Sequence, residues 1–151
     1  MVATSRAEHL TSRSRRWLFE YDIDDAANLA TIDVANSAKC VPIAEFRRFL
    51  AMVMTSVGTG GSTVFSITAA TSAAGAGAVA VVTHAHGSNP NAVGDFLVLE
   101  CDAEQIREVL PTATHVGVTL DLVTTTDEAV GLFEAADPLY ARAGLTADYV
   151  A

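Results

Sequence analysis

The chain has 151 residues, enough for one domain with a core of its own and no need of disulfides or metal to hold it. Half of the residues are apolar, mostly alanine and valine with few aromatics, a mixture that suits thin packed sheets better than a deep ligand cavity. Eighteen carboxylates against nine lysines and arginines give a net charge of −9, which excludes a fold-wide nucleic-acid surface, because phosphate binding needs clustered positive charge.

Residues 1–15 are rich in Ser, Thr and Arg and keep no period, so they read as an N-terminal arm. Arg6, Arg13, Arg15 and Arg16 gather in the first sixteen residues with only Glu8 opposing them. A solvated tail is one reading. The other is a basic arm lying on an acidic neighbour such as a second copy, which makes these arginines interface candidates. No h-region follows the polar N-terminus, and no apolar run approaches the ~20 residues of a membrane-crossing helix. The expectation is a soluble chain made in a cytoplasm, with no membrane partner.

From Arg16 to Asp22, Trp17, Phe19 and Tyr21 alternate with Arg16, Leu18 and Glu20, which predicts a short strand with an aromatic core face. Asp22, Asp24, Asp25 and Asp33 lie in the irregular stretch that follows, but the order of an EF-hand loop is absent. A loop with a short strand near Leu29–Val34 is predicted there. The chain centres on Phe49 to Ala70, two apolar runs separated by Gly58-Thr59-Gly60-Gly61-Ser62. β-Branched and aromatic residues around a glycine-rich break predict a β-hairpin. Phe49, Ala51 and Val53 alternate with Leu50, Met52 and Met54, so the first run is apolar on both sides and its second face should be covered.

Beyond the hairpin, 71–77 reads as a turn or flexible loop and Ala78–Thr83 as a strand, which His84 to Gly94 interrupts with turn formers. Asp95–Cys101 is a strand with Phe96, Val98 and Glu100 on one side and Leu97, Leu99 and Cys101 on the other. A short helix is predicted over about 102–110: Asp102 caps it, Gln105 completes a capping box, and Ile106, Val109 and Leu110 make its apolar stripe before Pro111. His115–Thr125 alternates strictly, and the segment from Glu128 to Ala135 is read as a strand. Residues 137–151 have no period and form a C-terminal arm, with Tyr140 and Tyr149 as further interface candidates. The organisation is therefore an arm at 1–15, a mainly β domain at 16–136 and an arm at 137–151. Cys40 and Cys101 are far apart without CxxC spacing, and two buried thiols are expected.

Little in the chain invites catalysis. His84-x-His86 on a strand projects two imidazoles to one side, with His115 as a possible third ligand, and in this it resembles a cupin. The acidic ligand that a cupin places shortly after the pair is replaced by Gly87-Ser88-Asn89-Pro90-Asn91, and the second cupin motif is absent. No G-x-S-x-G elbow supports a hydrolase. The glycines of 58–61 precede a strand, so no helix N-terminus makes them a phosphate cradle.

The succession from Phe46 to Ala136 resembles small virion structural proteins of tailed bacteriophages, of the capsid-decoration or cement kind. Carrying the resemblance are the central strand with its Gly-rich turn, Phe65-Ser66-Ile67-Thr68-Ala69-Ala70, and Gly94-Asp95-Phe96-Leu97-Val98-Leu99-Glu100. The short helix at Ala103–Leu110 and the strands around Val116–Val123 and Val130–Ala135 complete it. It covers about two thirds of the chain and is one of architecture. The resemblance implies a β-sandwich or jelly roll that forms homo-oligomers, often trimers, and binds the major capsid protein at the capsid surface. It implies no catalysis, no cofactor and no direct contact with nucleic acid. Another phage head or tail component, or a small metal-dependent jelly-roll enzyme using His84, His86 and His115, stays open as an alternative.

Overall fold

The structure is a computed structural model that describes residues 14–22, 28–30, 32, 38–57, 63–86, 93–121 and 128–138. Among these residues it is mainly β, with strands β1 (Ser14–Asp22), β2 (Asn28–Leu29), β3 (Cys40–Pro42), β4 (Phe46–Val57), β5 (Thr63–Ala70), β6 (Val79–His86), β7 (Phe96–Asp102), β8 (His115–Asp121) and β9 (Glu128–Pro138). A single helical turn, Ile43–Glu45, leads into β4, and one α-helix, α1 (Ala103–Val109), follows β7.

The strands form two antiparallel sheets. Sheet A has the order β1-β9-β4-β7, and sheet B has the order β2-β8-β5-β6 with β3 also on β8. β2 and β3 share one strand position: β2 pairs with Thr119 and Leu120, β3 with His115 to Gly117, and Ala30 N–H donates to Val118 O between them. The pairing is then nested. β1 meets β9, β2 and β3 meet β8, β4 meets β7, and β5 meets β6. Two further pairings, β9 with β4 and β8 with β5, roll this long ribbon into a sandwich. That arrangement is a jelly roll.

The inward faces follow the alternation in the sequence. Phe49, Ala51 and Val53 of β4, Phe133 and Ala135 of β9, and Leu99 and Cys101 of β7 are buried from sheet A. Phe65, Ile67 and Ala69 of β5 meet them from sheet B together with Val116, Val118 and Leu120 of β8. Phe49 and Phe133 stack with ring centroids 6.2 Å apart. In β1, Trp17, Phe19 and Tyr21 pair with Phe133, Gly131 and Ala129 of β9.

Several expectations need correcting. β4 and β5 are not the two arms of a hairpin: they lie in different sheets, and the chain crosses the sandwich between them. Alternation specifies which face a residue takes, but two strands that face each other across a core satisfy it as well as two that lie side by side. β1 begins at Ser14, inside the segment read as an arm, and β9 continues through Asp137 and Pro138. β6 continues through His86, where turn formers nearby suggested an earlier break.

The helix is as anticipated. Asp102 Oδ1 accepts from Glu104 N–H at 2.9 Å and Gln105 N–H at 2.8 Å, and Gln105 Oε1 accepts from Asp102 N–H at 3.0 Å. Ile106 is buried and Leu110 packs on the core, while Val109 is exposed because so short a helix has room for only a narrow apolar stripe. α1 packs against β4 and β7 of one sheet and β6 of the other, and so bridges the sandwich.

Candidate interaction surface

Sheet A buries one face and presents the other outward. Register alone arranges that outer face in levels across the four strands. One level reads Arg16, Glu134, Leu50, Glu100 from β1 to β7; the next Leu18, Leu132, Met52, Val98; the third Glu20, Val130, Met54, Phe96. The second and third levels bring apolar residues of neighbouring strands together. Phe96 is 58% exposed, Val98 47%, Met54 42% and Val130 39%, with Met52, Leu132 and Leu50 half-buried among them. Contiguous apolar surface of this kind is uncommon on a monomer and marks a place of contact. Nothing among the described residues covers it, contrary to the expectation that the second face of β4 is packed over.

Charge borders the apolar levels at one end. Arg16 Nε donates to Glu134 Oε2 at 2.9 Å and Nη2 to Oε1 at 3.2 Å, a two-point pair across β1 and β9. That hydrogen bond raises the guanidinium above its usual range. Arg48 pairs with Glu100 between β4 and β7. All four side chains keep some exposure, so in water each pair adds little to stability and both stay available to a neighbour. A shallow hollow of about 300 Å³ opens at this charged end, lined by Arg48, Leu50, Glu100, Glu134 and Asp137 among others.

The candidate residues from the sequence fall as follows. Arg15 and Arg16 belong to β1, and Arg16 is in the charged level just described. Arg6, Arg13, Tyr140 and Tyr149 lie outside the described residues, as do Asp24, Asp25 and Asp33.

The three histidines do not assemble. His84 pairs with Phe65 and His86 with Thr63 at one end of β5, whereas His115 pairs with Ala70 at the other. Five to seven residues of strand separate them, roughly 17–24 Å at ~3.4 Å per residue, too far for one ion. His84 takes an inward register position and its Nε2 is buried. His115 sits beside Thr114, whose Oγ1 donates to Thr71 O at 2.8 Å, so the 2.7 Å contact with His115 assigns its hydrogen to Nδ1. Partial burial lowers the His115 pKa.

Cys40 in β3 and Cys101 in β7 are buried and form no disulfide. Burial pushes both thiols up to about 12, aided at Cys101 by Asp102 and Glu100 and opposed at Cys40 by Lys39. Neither is poised as a nucleophile, because the thiolate is the reactive form.

Sequence reasoning did not single out Phe96, Val98, Met54 and Val130. The signal was partly visible, in a β4 apolar on both sides and in a β7 with Phe96 and Val98 together on one. What was missing was the pairing that sets these strands side by side.

No family model matches the sequence, and no curated protein matches it. Among solved structures, the chain is similar to one in "CryoEM structure of Mud Crab Dicistrovirus", with a TM-score of 0.37 and 10% sequence identity over 100% of this chain and 92% of that one. The jelly-roll assignment rests on the strand order and register above.

Proposed function

We propose that this protein is a virion structural protein of the decoration kind, which binds the major capsid lattice from outside and stabilises the shell without catalysing a reaction. The nested ladder is compatible with that role, but the jelly roll also serves lectins and cupins, so the fold does not choose among them. The observation that carries the reading is the uncovered apolar face of sheet A, bordered by the Arg16–Glu134 and Arg48–Glu100 pairs. The cupin-type alternative loses its support with the histidines at opposite ends of β5.

Magnitudes favour a repeated contact over a single one. Covering a half-exposed side chain releases roughly 1 kcal/mol at ~25 cal/mol per Å², so Phe96, Val98, Met54 and Val130 together release roughly 4 kcal/mol. Association itself costs ~4–15 kcal/mol in lost freedom. One such contact alone is weak, and it becomes firm where many linked copies engage a lattice at once.

The test is quantitative mass spectrometry of particles purified from the source that encodes this chain, with electron microscopy of the same particles. The expected result is many copies per particle and density outside the shell floor. Particles that lack the chain would remove the proposal.

A further inference from the structure

One edge of sheet A is the strand β1. It pairs with β9 over nine consecutive residues with no shift of register, and its other side carries no ladder among the described residues. Edge strands are commonly shortened, bulged or ended by proline, which keeps other chains from adding to them. On sheet B, β2 has two residues, β3 has three with Pro42 last, and the ladder of β6 shifts register beside Ile67. β1 has none of these devices.

We propose that β1 pairs with β1 of a second copy, antiparallel, about a two-fold axis that stands perpendicular to the sheet at Leu18. In that register the strand is its own complement. Leu18 lies across from the partner's Leu18, Arg16 across from Glu20 of the partner subunit, and Glu20 across from the partner's Arg16. Trp17 lies across from the partner's Phe19, and Arg15 from the partner's Tyr21. Opposite charges and aromatic pairs directly across a ladder both favour pairing. Arg16 already holds Glu134 on its β9 side at 2.9 Å, so the level gains a cation between two carboxylates. All nine residues take part, which gives about eight to ten main-chain hydrogen bonds, since alternate pairs exchange two each. The contact is isologous and closes as a dimer.

Charge and length select this register over its neighbours. Facing residues share a side of the sheet, so the axis must fall on a residue. At Arg16 it sets that arginine against itself, and at Glu20 it sets the glutamate against itself. At Trp17 it sets Arg16 across from the partner's Leu18. At Phe19 the arginine meets the partner's Asp22, but Glu20 falls across from the partner's Leu18, and only seven of the nine residues pair. The other edge of sheet A is less suitable. β7 turned about Leu99 sets Glu100 across from the partner's Val98 and Asp102 across from the partner's Phe96, with no cation for either. Pairing through β1 leaves the outer face of sheet A unused. The joined sheet has the order β7-β4-β9-β1-β1-β9-β4-β7 and carries both outer faces on one side, so a dimer brings two shell contacts where a monomer brings one.

Sedimentation equilibrium of the full chain over about 1–100 μM tests the inference, with circular dichroism to check that every variant is folded. The wild type is expected to dimerise within this range. Arg16→Glu sets carboxylates across from each other at both positions and Glu20→Arg sets cations, so each alone should weaken the dimer by about tenfold or more. An equimolar mixture of the two variants should regain it, because both positions are then opposite in sign. Losses within each chain, such as that of the Arg16–Glu134 pair, are the same alone and in the mixture, so recovery reports the ladder between copies. Leu18→Cys should oxidise to a covalent dimer and Arg15→Cys should not, since facing Cα atoms lie about 4.5–5.5 Å apart in an antiparallel ladder, within disulfide reach. Cys40 and Cys101 are buried and do not compete. A wild type monomeric at 100 μM would overturn the inference, as would a mixture no tighter than its components, or cross-linking as complete at position 15 as at 18. A dimeric chain missing from particles ends the shell reading and leaves this one, and a monomer abundant on particles does the reverse.

Discussion

The two outer faces of the sandwich are built on the same strand geometry and end differently. On sheet B, Ser66 and Thr68 point away from the core yet are only 3% and 4% exposed. Ser66 Oγ donates to Thr83 Oγ1 at 3.0 Å, and the hydroxyls of Thr68 and Thr119 share a hydrogen bond at 2.9 Å, so the outward polar groups of β5, β6 and β8 satisfy one another. The loop after β5 closes the rest. Ala73 O accepts from both Lys39 N–H and Cys40 N–H, and Gly75 lies against Leu29 and Cys40, at φ +85°. Sheet A has neither hydroxyl ladder nor covering loop among the described residues, and carries Phe, Met and Val instead. A face that satisfies itself has no use for a partner; a face of half-exposed hydrocarbon does.

Substitutions can break or sharpen this contrast, and the core they share sets the scale. Phe65→Ala should cost ~3–5 kcal/mol in urea unfolding, since its ring is fully buried between the sheets. A loss below ~1 kcal/mol would place Phe65 outside the common core. Gly117→Ala attacks the closed face. An added Cβ would lie 2.5 Å from Lys39 O and 2.8 Å from Cys40 Sγ, so β3 must move, at ~1–3 kcal/mol. Thr68→Val keeps the shape but removes one partner of the Thr119 hydroxyl, and should cost about 1 kcal/mol. On the open face, Phe96→Thr should leave the stability of the protein within about 0.5 kcal/mol while reducing the number of copies retained on purified particles. A large loss of stability there would mean that the face is part of the fold and not a contact surface.

The smallest effect is one of pH. Burial holds the His115 pKa below that of the unfolded chain, so folding is favoured above the ordinary histidine range and loses a little as pH falls through about 6.5. His115→Gln should flatten this slight acid-side drift in the unfolding midpoint, because it removes the partly buried imidazole that takes up the proton.

Much of the architecture was legible because it is local. The Asp102–Gln105 capping box, the alternation of Val116, Val118 and Leu120, and the inward set Phe65, Ile67 and Ala69 are all fixed by neighbours a few residues away. What was not legible is who lies beside whom. The glycine-rich stretch after β4 looked like a tight turn because nothing in its composition states the distance it spans. β3 escaped notice since three residues ending in Pro42 carry no period, and only β8 makes them a strand. The open face was half visible in Leu50, Met52 and Met54, but it became a surface only once β9 and β7 were set on either side.

The nested order of the ladder has a temporal consequence. β5 and β6 can pair as soon as both have emerged, whereas β1 must wait for β9, more than a hundred residues downstream, to complete the opposite sheet. Before that, the oily patch is only Met52 and Met54 beside Val98 and Phe96, which β4 and β7 bring together by themselves. Leu132 and Val130 widen it once β9 arrives, so the plane reaches its full breadth with the strand that closes the ladder.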